Sequence, residues 1–124
     1  MFGFNVDEDN KLVTVICDGT LSSDERLKVL DDLIETLKKN PKLNILLDVS
    51  QAELNMTHHE QMEYGHLLAS KKNYFNLNKT AVVRNINTLY QTLFLSEAYA
   101  EGFTNFLEFD NKKEALKWIS GEIR

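Results

Sequence analysis

Between Leu43 and Glu60 the chain reads LNILLDVSQAELNMTHHE, and no other stretch narrows the possible folds as much. Ile45-Leu46-Leu47 is an apolar run without alternation, the pattern of a strand covered on both faces. The run turns polar at Asp48 and Ser50. Thr57 followed by Glu60 has the spacing of a capping box and opens a helix. A doubly covered strand leading into a helix belongs to an open α/β sheet, where sites collect at the end of a central strand and the start of the next helix.

The segments on either side fit that frame. Phe2 to Val6 alternates weakly, Asp7 to Asn10 reads as a turn, and Leu12 to Cys17 is a β-branched strand, so the chain opens on an antiparallel hairpin. Gly19 breaks the pattern. Ser22 and Glu25 form a capping box, and Leu27, Leu30, Leu33, Ile34 and Leu37 follow at helical spacing until Lys38-Lys39 and Asn40-Pro41 end the helix. The central strand runs from Asn44 to Val49, with a loop from Ser50 to Met56. A second helix spans about His58 to Tyr74. Gly65 inside it costs about 1 kcal/mol relative to Ala, which implies close packing against a neighbour.

Lys79 to Val83 is a third buried strand ending at Arg84-Asn85. The next helix carries Ile86, Leu89, Tyr90, Leu93, Phe94 and Ala98 on one face and stops at Gly102. Asn105 to Phe109 is the last strand. Asn111 with Glu114 makes another capping box and opens a final helix whose Ala115, Leu116 and Ile119 pack inward. The order β-β-α-β-α-β-α-β-α predicts one α/β domain over residues 1–124, with a mainly parallel mixed sheet, an N-terminal hairpin and four helices.

Composition excludes several function classes. A domain of 124 residues buries roughly two thirds of its unfolded surface without a disulfide or metal staple. The formal net charge of -5 repels phosphate backbones and anionic membranes, which argues against nucleic acid as a partner. Without a signal peptide pattern or an 18-residue apolar run, the expected setting is cytoplasmic, with no membrane insertion. Cys17, the single cysteine, sits in an apolar run with no nearby histidine and reads as a buried hydrophobe.

The order of elements resembles the STAS domain, and more narrowly the SpoIIAA-like group of small bacterial proteins. The carrying features are the hairpin with its following glycine (VTVICDGTLSSDE), the strand ending in aspartate (NILLDVS), the later strand KTAVV, and the terminal EALKWI. The resemblance covers nearly the whole chain and implies a non-enzymatic, regulatory style of action. In anti-sigma-factor antagonists of this fold, a serine at the start of the second helix is phosphorylated by a partner kinase. Here the corresponding segment is Glu53-Leu54-Asn55-Met56-Thr57-His58, with no Asp-Ser-Ser and no glycine. Thr57 and, seven residues earlier, Ser50 are the hydroxyls that stand nearest to that role.

The residues expected to contact a partner or ligand are therefore Asp48, Ser50, Thr57, His58, Arg84 and Asn85. The last two end the neighbouring strand and are placed at the same crevice as Asp48. His58, His59 and His66 with Glu60 and Glu63 raise a metal reading. However, HEQME has glutamate where a zinc motif needs its second histidine, and a lone Glu-x-x-His lacks its di-iron counterparts, so no metal or cofactor is expected. No Gly-rich phosphate loop and no paired carboxylates of plausible spacing point to catalysis. The expected function is a protein-docking module. The alternative is a carrier or sensor of a small apolar, lipid-like ligand held against the aromatic-rich second and third helices, as in the related carrier fold of CRAL-TRIO proteins. An acidic surface with exposed helices also leaves room for a homodimer.

Overall fold

The structure is a computed structural model that describes residues 1–87 and 93–122. Five strands lie in sequence order: β1 (Phe2–Asp7), β2 (Leu12–Thr20), β3 (Asn44–Glu53), β4 (Thr80–Val83) and β5 (Phe106–Phe109). β1 pairs antiparallel with β2, and every later pairing is parallel. Sequential parallel strands joined by crossovers of one hand place their helices on one face of the sheet. Accordingly α1 (Ser23–Lys39), α2 (His58–Ser70), α3 (Lys72–Phe75) and α4 (Leu93–Ala100) share the large core with Val13, Val15, Cys17, Ile45, Val49 and Val82. The other face is covered by α5 (Lys112–Ile119), whose Ala115 and Trp118 pack on Leu46, Ala81 and Val83.

The expected hairpin, parallel sheet and crossover helices are all present, with five helices among the described residues instead of four. The second helix stops at Ser70 because its chain turns at Lys71, and Lys72–Phe75 forms a separate turn of helix. Leu89 and Tyr90, expected on the face of the third long helix, lie outside the described residues; Ile86 is in a turn and 61% exposed. Two apolar stripes are rotated from their expected positions. In α1 Leu27 is 44% exposed, and Arg26 with Val29 faces inward. In α5 Leu116 is turned out and Trp118 takes the inward place, and of the expected capping box only the bond from Glu114 N–H to Asn111 Oδ1 forms, at 2.9 Å.

Both central strands run further than their apolar runs suggest. β2 continues through Gly19, at φ +66°, to Thr20, and β3 continues to Glu53. Ile16 lies opposite Asp48 and Asp18 opposite Gln51, so three steps along β3 match two along β2. β3 therefore carries a bulge around Val49-Ser50, which reverses the facing of the residues beyond it. Ile45, Leu47 and Val49 face the large core before the bulge, and Ala52 and Leu54 face it afterwards.

Gly65 packs where a side chain cannot fit. A Cβ there would lie 2.4 Å from the Phe94 carbonyl oxygen and 2.7 Å from Glu97 Cβ, so α2 and α4 touch backbone to backbone. Gly102 (φ +107°) ends α4 in a Schellman motif: its N–H donates to Tyr99 O at 3.1 Å and that of Phe103 to Ala98 O at 2.9 Å. Gly65→Ala should lower stability by about 1–3 kcal/mol through overpacking, despite alanine's better helix propensity. Urea unfolding of the two proteins checks this.

Candidate functional site

The C-terminal edge of the parallel sheet gathers the turns after β3 and β4 and the starts of α1, α2 and α5. Asp48 has a defined task at this edge. Its Oδ1 accepts the Ser50 backbone N–H at 3.0 Å and the Ser50 hydroxyl at 2.6 Å, satisfying groups that the bulge takes out of the ladder. Asp48 lies beside Val83 and two residues from Leu46, and so looks to the α5 face, whereas α2 packs on the opposite face.

Thr57 and Glu60 form the expected capping box. The Thr57 hydroxyl accepts the Glu60 N–H, and Glu60 Oε1 accepts the Thr57 N–H, both at 3.1 Å. The Thr57 N–H foremost, and then the Thr57 hydroxyl beside the carboxylate, hold the Glu60 carboxyl below its ordinary 4.5. Thr57 and His58 themselves are exposed.

Arg84 and Asn85 leave β4 toward different neighbours. Arg84 Nε donates to Asp110 Oδ1 at 2.7 Å, beyond the end of β5, so Arg84 does not close a crevice with Asp48. Asn85 Nδ2 donates to the Ala52 carbonyl at 3.2 Å and ties the β4 turn to the extended end of β3. The six anticipated residues thus share one edge of the sheet but form separate local contacts instead of one crevice.

Arg26 is the residue of this edge that a sequence reading passes over. It is 8% exposed, and its Nη1 donates to the carbonyls of Leu21 and Leu54, both at 3.0 Å. Its Nη2 donates to Ser23 Oγ at 3.2 Å and reaches Glu60 Oε2 at 3.5 Å. One guanidinium therefore joins the chain before α1 to the chain before α2. Tyr64 adds a second link, its hydroxyl donating to the Arg26 carbonyl at 3.3 Å. The available signal was spacing: Arg26 stands three and four residues before Val29 and Leu30, on the buried stripe.

The remaining chemistry-bearing groups are dispersed. His59 pairs with Glu63 at 2.8 Å and His66 with Glu101 at 2.5 Å. Among the described residues no three His, Cys, Asp or Glu side chains are grouped to hold a metal ion. Burial pushes the Cys17 thiol up to about 11, so it is protonated at neutral pH and unsuited to nucleophilic attack. Among the described residues no helix is long and apolar enough to cross a membrane.

No protein-family model and no curated protein sequence matches the chain. Its structure is similar to that of an uncharacterised protein of the DUF3478 family from Shewanella loihica PV-4, solved with a SpoIIAA-like fold. The TM-score is 0.61 at 20% identity, over 96% of this chain and 92% of that one. The chain therefore has a SpoIIAA-like fold.

Two outcomes follow at this edge. Arg26→Met should cost about 2–4 kcal/mol, because it leaves buried carbonyls unpaired, as denaturant titration would register. Glu60 should titrate below 4.5 in a carboxyl NMR experiment, and Thr57→Ala should move it back toward that value. Because the folded value is depressed, the stabilisation from ionised Glu60 is present above pH 4.5 and lost as pH falls through the folded value. The difference in unfolding midpoint between the wild type and Glu60→Gln should therefore shrink in acid.

Proposed function

We propose that this chain is a non-enzymatic binding module that docks a protein partner across the C-terminal edge of its sheet. The observation that carries the reading is the preorganisation of that edge. Asp48 with Ser50, Thr57 with Glu60, Asn85 with Ala52 and Arg84 with Asp110 are each held by local hydrogen bonds, and Thr57, His58 and Arg84 remain exposed. A surface already ordered loses little entropy on docking. Asp18, Asp24 and Glu53 are exposed around it, which favours a partner with a basic contact patch. Of the two hydroxyls considered for modification, Thr57 is exposed, while Ser50 is half-buried and bonded to Asp48.

Capture from the source lysate tests this with wild type, Thr57→Glu and the double variant Asp24→Lys/Glu53→Lys. A partner should come down with wild type, release as salt is raised, and bind the double variant at least about ten-fold more weakly. If the partners recovered are identical for all three proteins, the docking edge is wrong. A second copy of this chain as the captured species would turn the reading into one of self-association.

A second reading, a carrier or sensor of a small apolar ligand, is favoured by a separate observation. A cavity of about 60 Å³ lies between the sheet and the α1, α2 and α4 layer, bordered by Cys17, Tyr64, Leu68, Val82 and Phe94. It is smaller than the roughly 150 Å³ cavity that accepts benzene, which sets the ligand well below the size of a lipid chain.

A further inference from the structure

The wall of this cavity includes one side chain whose chemistry its surroundings leave unused. Thr80 opens β4, is 6% exposed and lines the cavity, and among the described residues its Oγ1 has no hydrogen-bond partner. Buried hydroxyls are normally paired, because leaving one unpaired forfeits its bonds to water. An apolar void also forfeits the dispersion contacts its lining would make if filled. Two unfavourable features therefore meet in one place, and a single occupant that fills the space and bonds to Thr80 removes both.

We infer that the cavity is a site for a small uncharged molecule with a compact apolar body and one hydroxyl or carbonyl group, held by Thr80 Oγ1. This rests on the apolar-ligand reading above and adds to it the chemical class. Three features of the wall define the class. The lining is otherwise almost entirely aliphatic or aromatic, which suits an apolar body. The Arg26 guanidinium, the one formal charge among the described residues of the wall, already bonds to Leu21, Leu54 and Ser23, so a carboxylate gains no free cation from it. Burial raises the pKa of both Cys17 and Tyr64, the direction expected where negative charge is penalised. A threonine hydroxyl both donates and accepts, so it recognises either an alcohol or a carbonyl.

The experiment compares xenon, an apolar probe with no polar group, with ethanol, an alcohol small enough for the cavity, using ¹H–¹⁵N NMR titration of wild type, Thr80→Val and the cavity-filling Val82→Ile. Xenon and ethanol should both shift the amides of Cys17, Leu68, Thr80 and Phe94 in wild type, saturably. Thr80→Val should keep xenon binding and weaken ethanol about five- to ten-fold, the worth of one hydrogen bond. Its unfolding midpoint should not fall below that of wild type, since no bond is lost. Val82→Ile should weaken both probes. If xenon enters while ethanol fails to bind wild type, or binds Thr80→Val as well as wild type, the role of Thr80 is refuted and the apolar site survives. If neither probe shifts these amides in folded wild type, the apolar-ligand reading itself fails.

Discussion

The buried guanidinium of Arg26 is the interaction on which the upper half of this molecule depends. Two chain segments must turn at the C-terminal edge of the sheet, one from β2 into α1 and one from β3 into α2. Each turn exposes carbonyls that neither strand nor helix satisfies. Nη1 of Arg26 bonds both carbonyls while Nη2 reaches Ser23 and Glu60, so the planar fork serves four acceptors at once, more than the three donors of a lysine ammonium. Because Leu21 and Leu54 are themselves 4% and 3% exposed, water is a poor substitute at either place. The start of α2, with its capping box and exposed Thr57 and His58, is thus held relative to α1 by a group that is itself buried.

The bulge in β3 does the complementary work within the sheet. Without the extra residue, Ala52 and Leu54 would lie out of phase with the large core, and the strand could not continue past β4 while burying both. The local bonds from Ser50 to Asp48 make that irregularity inexpensive. Asp48 is thereby explained as a structural residue of the edge, although a structural residue at an exposed rim still shapes what a partner meets.

What was legible in the sequence follows from the range of the forces involved. Caps at Ser22, Thr57 and Asn111 depend on neighbours three residues away and could be read directly. So could the backbone contact at Gly65, since glycine within a helix needs a reason. The bulge was not legible, because the shift of register is a property of two strands. Nor was the burial of Arg26, whose partners Leu54 and Glu60 lie 28 and 34 residues away, while the neighbouring Leu27 fits the same helical stripe in sequence. The ion pair of Arg84 was not legible for a similar reason, since its partner Asp110 lies 26 residues further on. The edge as an address could be read from strand and helix order, but the contacts within it are long-range and could not.

The cavity poses the opposite problem, since its residues are ordinary in sequence. Thr80 begins the run Thr-Ala-Val-Val, in which β-branching suits a buried parallel strand, and a threonine there reads as a valine of equal shape. Only the three-dimensional surroundings separate the two. Both Ala81 and Val83 face α5, where Trp118 fills the space; Thr80 and Val82 face the side that four helices cover. A layer built from four separate helices leaves gaps more readily than one built from a single helix carrying a large indole. Where such a gap is apolar throughout, it is a packing fault and nothing more. Here one hydroxyl in its wall changes the chemistry, because a valine would have filled the same volume without burying an unpaired polar group.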